Sequence, residues 1–278
     1  MPSALVTGAS SGIGLATAVS LAHAGYAVTA TVRSPESGAA LREAAEEAGV
    51  DVDVAHLDVT DAQSVEDVVA AVVARHGGID VLVNNAGRGR LGTTERVSVD
   101  ELRATLDVNL VGVWRMTQAV LPHMRAQRSG RIVTVSSIGG LVAQPFNDAY
   151  CAAKFAVEGM MEALAPVAAE FGIAVVLVEP GPVATSFVQN VDGLSTLGDP
   201  DDPYLPLLQR YIAATQAAFE TAQTPQDVAD VVLEALAAAE PALRYQTSEA
   251  VTARASVKLA DPSGTATYAA ARARLAPS

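Results

Sequence analysis

Ala4-Leu5-Val6-Thr7-Gly8-Ala9-Ser10-Ser11-Gly12-Ile13-Gly14 runs from an apolar stretch through a turn of small residues into a helical segment. Small residues let a backbone approach a pyrophosphate closely, and the N–H groups and dipole of a new helix favour that anion. The whole Gly8–Gly14 turn, with Ser10, Ser11, Gly12 and Ile13, is therefore a candidate dinucleotide cradle. Its glycine spacing departs from strict G-x-G-x-x-G. A literal match at Gly87-Arg88-Gly89-Arg90-Leu91-Gly92 follows the fourth apolar run and reads as a loop edging a ligand crevice. Gly8-Ala9-Ser10-Ser11-Gly12 also fits G-x-S-x-G, the nucleophile elbow of hydrolases. That chemistry needs a histidine downstream. Of His23, His56, His76 and His123, none lies in the second half of the chain, which argues against it.

Working outward, β-branched runs at Ala4–Thr7, Tyr26–Val32, Val50–Leu57, Ile79–Asn84, Arg131–Ser136 and Ile173–Glu179 alternate with amphipathic helical segments. The runs are nearly all apolar rather than alternating, so both faces must be covered, which means a parallel sheet flanked by helices. The reading is an α/β fold, a Rossmann-type doubly wound sheet in a single domain spanning 1–278. Thr60 with Gln63 and Ser98 with Glu101 fit capping boxes. Beyond Pro180 the texture changes: residues 180–239 carry eight acids and one base, Arg210. Leu205–Phe219 resumes a helical pattern, Thr224-Pro225 reads as a cap with proline in the first turn, and Ala242–Gln246 as a last strand. Residues 183–240 are expected to form a substrate lid and 247–278 a C-terminal extension.

Composition bounds the function. Half of the 278 residues are hydrophobic and 18% charged, enough for a large core. A net charge of −13 excludes nucleic acid and anionic membrane as partners. One cysteine, Cys151, rules out an internal disulfide, and it reads as packing rather than a reactive thiol. The longest apolar stretch, Val68–Ala74, is too short for a membrane span, and the N-terminus has no signal pattern. A cytoplasmic protein without a metal site is expected.

Tyr150 and Lys154 stand at i and i+4 on a helix and so share a face. A nearby ammonium favours the phenolate and lowers a tyrosine pKa from about 10. Ser137 follows an apolar run and places a hydroxyl at a strand's carboxyl end. At the end of the second run, Ala30-Thr31-Val32-Arg33-Ser34 has no carboxylate for ribose hydroxyls. Arg33 suits a 2′-phosphate instead, with Ser10 and Ser11 as added donors, which favours NADP(H). The helix Lys154–Glu170 is too apolar for one core-facing stripe and suggests a homodimer or homotetramer interface, with Trp114 a core or subunit contact. Pro166 should kink or end that helix.

Together these residues resemble the short-chain dehydrogenase/reductase family. Its motifs occur in order as Thr7–Gly14, Asp58, Asn84-Asn85-Ala86-Gly87, Asn109, Ser137, Tyr150, Lys154 and Pro180-Gly181-Pro182-Val183. The resemblance implies that Tyr150 is the acid–base, that Ser137 holds the carbonyl oxygen, and that Lys154 lowers the tyrosine pKa while binding ribose. It implies that Asn109 anchors a relay water and that Asp58 and Val59 line the adenine pocket. Asn85, Ala86 and Gly87 would flank ribose, and Pro180, Gly181, Val183 and Thr185 the nicotinamide end. Pro145–Ala156, Leu243-Arg244-Tyr245 and Asp261–Gly264 are similar to the subgroup of oestradiol-forming 17β-hydroxysteroid dehydrogenase and photoreceptor retinol dehydrogenase. That implies a small apolar carbonyl or alcohol substrate. The acid-rich, base-poor lid favours a neutral one. The absence of histidine after His123 removes the steroid enzyme's lid ligand. A non-catalytic NADP(H)-binding sensor is the alternative, and the intact Ser137, Tyr150 and Lys154 count against it.

Overall fold

In a computed structural model describing residues 1–185, 201–219 and 221–276, the apolar runs lie side by side as one sheet. Its strands are β1 (Ser3–Val6), β2 (Ala27–Val32), β3 (Val52–His56), β4 (Val81–Asn84), β5 (Gly130–Val135), β6 (Ile173–Glu179) and β7 (Arg244–Gln246). The order is 3-2-1-4-5-6-7, and every pair is parallel. The helices are α1 (Gly12–His23), α2 (Ala39–Ala48), α3 (Ala62–His76), α4 (Val99–Leu106), α5 (Gly112–Gln127) and α6 (Asp148–Ala169). After them come α7 (Leu205–Phe219), α8 (Pro225–Ala237), α9 (Glu249–Ala260) and α10 (Thr265–Ala273).

The unbroken apolarity of the strands has a direct cause. Successive side chains point to opposite faces. Leu5, Leu82, Ile132 and Leu177 enter one core layer with α3, α5 and α6. Their neighbours Val6, Val81, Val133 and Val178 enter the other with α1, α2 and α8. The helix α8, expected in the lid, instead covers the sheet beside α1 through buried Val228 and Val232. Of the expected lid, residues 186–200 lie outside the described residues, and α7 is the helix that stands over the crevice described below.

Helix ends follow local chemistry, with one correction. Ser98 and Glu101 form the expected capping box, and Thr224 forms one with Asp227, with Pro225 in the first turn. Thr60 does not cap α3. Asp61 does, accepting from the Gln63 N–H at 2.9 Å, because Thr60 donates its hydroxyl to Asp58 at 2.7 Å. Pro166 does not end α6, which continues to Ala169. Between α4 and α5 the chain widens into a π-helical turn, Asp107–Val111, with Asn109 buried at its centre.

Two ties join the C-terminal segment to the sheet. Arg244 on β7 meets Glu158 at 3.1 Å, Glu162 at 2.7 Å and the wholly buried Glu179 at 3.2 Å. Val251 and Ala255 of α9 pack on Ile138 and Leu141, just beyond β5. No described helix is long and apolar enough to cross a membrane.

Candidate active site

The strand order reverses between β1 and β4, and at such a switch point the loops leave a crevice at the carboxyl ends of the strands. Here the crevice has a volume of about 1520 Å³. Single-ligand pockets are commonly about 300–1,000 Å³. There is room for a dinucleotide and a second molecule together.

One end is backbone. Gly8 has φ +68°, and a Cβ there would stand 2.7 Å from the Ala86 Cα. Gly8, Ser10, Ser11, Gly12 and Ile13 line the crevice, with Asn85, Ala86 and Gly87 opposite. Gly14 does not reach it; the turn needs glycine there because a side chain would collide with the Gly8 carbonyl and the Asn85 amide. Asn85 locks the cradle by donating to the carbonyls of Thr7 and Gly8, both at 3.0 Å. The Ser11 side chain makes no cap bond to α1, so the first-turn N–H groups can serve an anion. A cradle that any Cβ would fill suits a pyrophosphate.

Farther along, Arg33 is exposed on the crevice edge with Ser34 and Ser37. Asp58, Val59 and Thr60 face it. Burial raises the Asp58 pKa, but hydrogen bonds from Thr60 and the charges of Arg33 and His56 outweigh it and hold the carboxyl below its ordinary value. Arg33 therefore has a carboxylate neighbour from the turn after β3 that the β2 sequence did not reveal.

At the centre, β5 delivers Ser137 and α6 delivers Tyr150 and Lys154, all lining the crevice. The Ser137 and Tyr150 hydroxyls are hydrogen-bonded, and Ser137 accepts from the Gly139 N–H at 3.0 Å. A Cβ on Gly139 would lie 3.3 Å from both Ser137 Oγ and the Tyr150 ring, so glycine keeps this pair together. Lys154 Nζ donates to the Val135 carbonyl at 2.8 Å and sits 5.9 Å from the Tyr150 ring centroid. The expected lowering of the tyrosine pKa does not appear in the protein alone. Burial pushes Tyr150 up to about 12 and Lys154 down to about 8, against the Ser137 hydrogen bond and the Glu158 charge respectively. Desolvation penalises both ionised forms and outweighs their proximity.

Asn109 stands apart from this group. Its amide is spent on Arg88, accepting from its N–H at 2.9 Å and donating to its carbonyl at 2.8 Å. The side chain fastens the loop after β4 and does not line the crevice. Pro180, Gly181, Val183 and Thr185 line the crevice, with Thr185 against Gly12. Cys151 is buried and its pKa raised by burial, as packing would have it. The pseudo-elbow at Ser10 has no histidine beside it, since none lines the crevice among the described residues.

The other end is made of side chains the sequence did not single out. Tyr211, Ile212, Thr215 and Phe219 come from α7, and Gln144 and Asn147 precede α6. The Tyr211 hydroxyl accepts from Asn147 Nδ2 at 2.9 Å. Its ring lies 5.7 Å from that of Phe146, a buried residue at φ +61° whose carbonyl accepts from the Gly92 N–H at 2.7 Å. Arg254 of α9 and Arg274 after α10 complete this end.

The short chain dehydrogenase pattern matches residues 2–193. The chain is 42% identical over 269 residues to human 17-beta-hydroxysteroid dehydrogenase type 1, covering 94% of this chain and 81% of that protein. It is 40% identical to Bos taurus retinol dehydrogenase 8, covering 94% and 86%. Among solved structures, a short-chain dehydrogenase from Streptomyces avermitilis superposes with TM-score 0.78 at 31% identity, covering 98% of this chain and 97% of that one. A single-residue variant of actinorhodin polyketide ketoreductase with NADPH gives 0.77 at 34%, covering 88% and 95%.

Proposed function

The chain belongs to the short-chain dehydrogenase family, and on that footing we propose that it is an NADP(H)-dependent oxidoreductase interconverting a ketone or aldehyde with its alcohol. The observation that carries this reading is the meeting of Ser137, Tyr150 and Lys154 in a crevice whose far wall is the glycine turn. The substrate has an apolar body of steroid, retinoid or polyketide size, facing Tyr211, Ile212 and Phe219. The relatives named for steroid, retinol and polyketide chemistry support that choice. Arg33, with Ser34 and Ser37 beside it, supports the 2′-phosphorylated cofactor, as does the likeness to ketoreductase with NADPH.

When bound, the cofactor supplies hydride to the carbonyl carbon or accepts it from the alcohol. Tyr150 gives its proton to the carbonyl oxygen as negative charge develops there, and takes it back in the reverse direction. Ser137 hydrogen-bonds the same oxygen and is oriented for that by the Gly139 N–H. Burial keeps Tyr150 protonated, which loads the acid for reduction. Lys154 favours the phenolate once the proton has gone. Asn109 acts by holding the Arg88 loop. The helix α7 serves as the lid. Trp114 and Phe155, exposed on α5 and α6, form part of the interface of a cytoplasmic homo-oligomer.

The test is Tyr150→Phe. NADPH binding should stay within about twofold while turnover on a carbonyl panel falls about 10²- to 10⁴-fold. Turnover at the wild-type rate would overturn the assignment.

A further inference from the structure

The charge count over residues 180–239 argued for a neutral substrate, but two cations of the crevice lie beyond residue 239. Arg254 projects from α9 and Arg274 from the end of α10, and both line the crevice beside Tyr211. They differ from four arginines elsewhere in the chain. Arg90, Arg96, Arg115 and Arg244 each meet a carboxylate within 3.2 Å. The guanidinium of neither Arg254 nor Arg274 has a hydrogen bond or ion pair with a described residue. They act instead on one another: Arg254 is partly buried, and its pKa is lowered first by that burial and then by the Arg274 charge. Two like charges lining one crevice beside an apolar wall repel each other. An anion between them relieves the repulsion and takes hydrogen bonds from two planar guanidinium forks.

Their place in the crevice identifies the ligand. Tyr211 connects them to Asn147 and Gln144, and Gln144 lies against Gly139, which touches Tyr150. They are thus on the substrate side, at the end opposite Arg33. We propose that Arg254 and Arg274 form an anion subsite, and that the preferred substrate is an apolar carbonyl compound bearing a carboxylate or sulfate ester remote from the reacting carbon. This rests on the dehydrogenase reading and narrows its substrate class.

The experiment uses the NADPH-loaded protein and one alicyclic ketone skeleton in three forms: carboxylate, sulfate ester and methyl ester. One of the anions should exceed the methyl ester by about 10- to 100-fold in kcat/KM, chiefly through KM. Arg254→Gln/Arg274→Gln should bring that ratio to about 1, each single variant should lie between, and Arg254→Lys should keep part of the preference. Melting temperature and NADPH affinity report folding of the variants, and the single variants decide the matter where the double one fails to fold. If the methyl ester is reduced as well as both anions, the subsite is refuted while the dehydrogenase reading stands. Survival of the preference in the double variant refutes it equally. If no form is reduced, the dehydrogenase reading is the part in difficulty. Calorimetric titration of the two anions then decides the subsite: binding to wild type that the double variant loses supports it, and no binding overturns it.

Discussion

The glycine turn after β1 presents backbone to the crevice, whereas the far end of the same crevice, under α7, α9 and α10, presents long side chains. At the first end the glycine positions are crowded: a Cβ on Gly8 or Gly14 strikes Ala86, Asn85 or the turn itself. At the second, Arg254 rests on a helix that packs on the loop after β5 through other residues, Val251 and Ala255, and Tyr211 on one that packs on Leu91 and Phe146. The backbone end admits few alternatives. The side-chain end can be recomposed without disturbing the cradle.

A substitution at the crowded end should therefore harm every reaction alike. Gly8→Val is expected to have the largest effect, because it adds branched bulk at φ +68°, 2.7 Å from the Ala86 Cα. NADPH affinity in a fluorescence titration should fall more than about 100-fold, with a loss of several kcal/mol in stability. Binding within threefold of wild type would break the contrast. Arg33→Asp comes next: NADPH should bind about 10- to 100-fold more weakly, with NADH nearly unaffected. Equal losses would remove the 2′-phosphate assignment.

A third prediction concerns the seam between the two ends. Glu179 is wholly buried, and burial with the neighbouring Glu158 pushes its pKa up to about 7, against Gln246 and Arg244. Its folded-state pKa exceeds that of the unfolded chain, so the protonated form favours folding. That contribution is complete below about pH 4.5 and is lost as pH rises through about 7. Denaturant midpoints should show wild type losing about 1–3 kcal/mol across this window relative to Glu179→Gln. Parallel pH profiles would disprove it. The smallest effect belongs to Tyr211→Phe, which removes the hydroxyl that accepts from Asn147 and donates to Gln144. It should raise substrate KM by about three- to tenfold while leaving the NADPH dissociation constant alone. A change in the latter would mean that the two ends are not separable.

Much of this contrast was legible in the sequence. The central strands could be read because both faces are covered and nearly every residue is apolar, and the bounds of all the strands moved by no more than two positions. Tyr150 and Lys154 could be placed together because a helix brings i and i+4 onto one face. Thr60 misled because its hydroxyl is taken by Asp58, a competition set by the turn after β3. The pKa directions at Tyr150 and Lys154 depend on how dry the strand ends are, which spacing cannot tell. Nor could the α8 pattern say which surface its apolar face covers. Arg254 and Arg274 gave no local signal, since their place in the crevice depends on α9 packing on the loop after β5 and α10 packing on α9.

Phe146 sits four residues before Tyr150, in a backbone shape that costs a non-glycine residue about 1 kcal/mol or more. It is clasped from one side by the Gly92 loop and from the other by the Tyr211 ring. One buried residue, two positions before α6 begins, thus touches both the α7 side of the crevice and the loop that carries Gly92. A substitution that relaxes the backbone at Phe146 should loosen both of its neighbours at once.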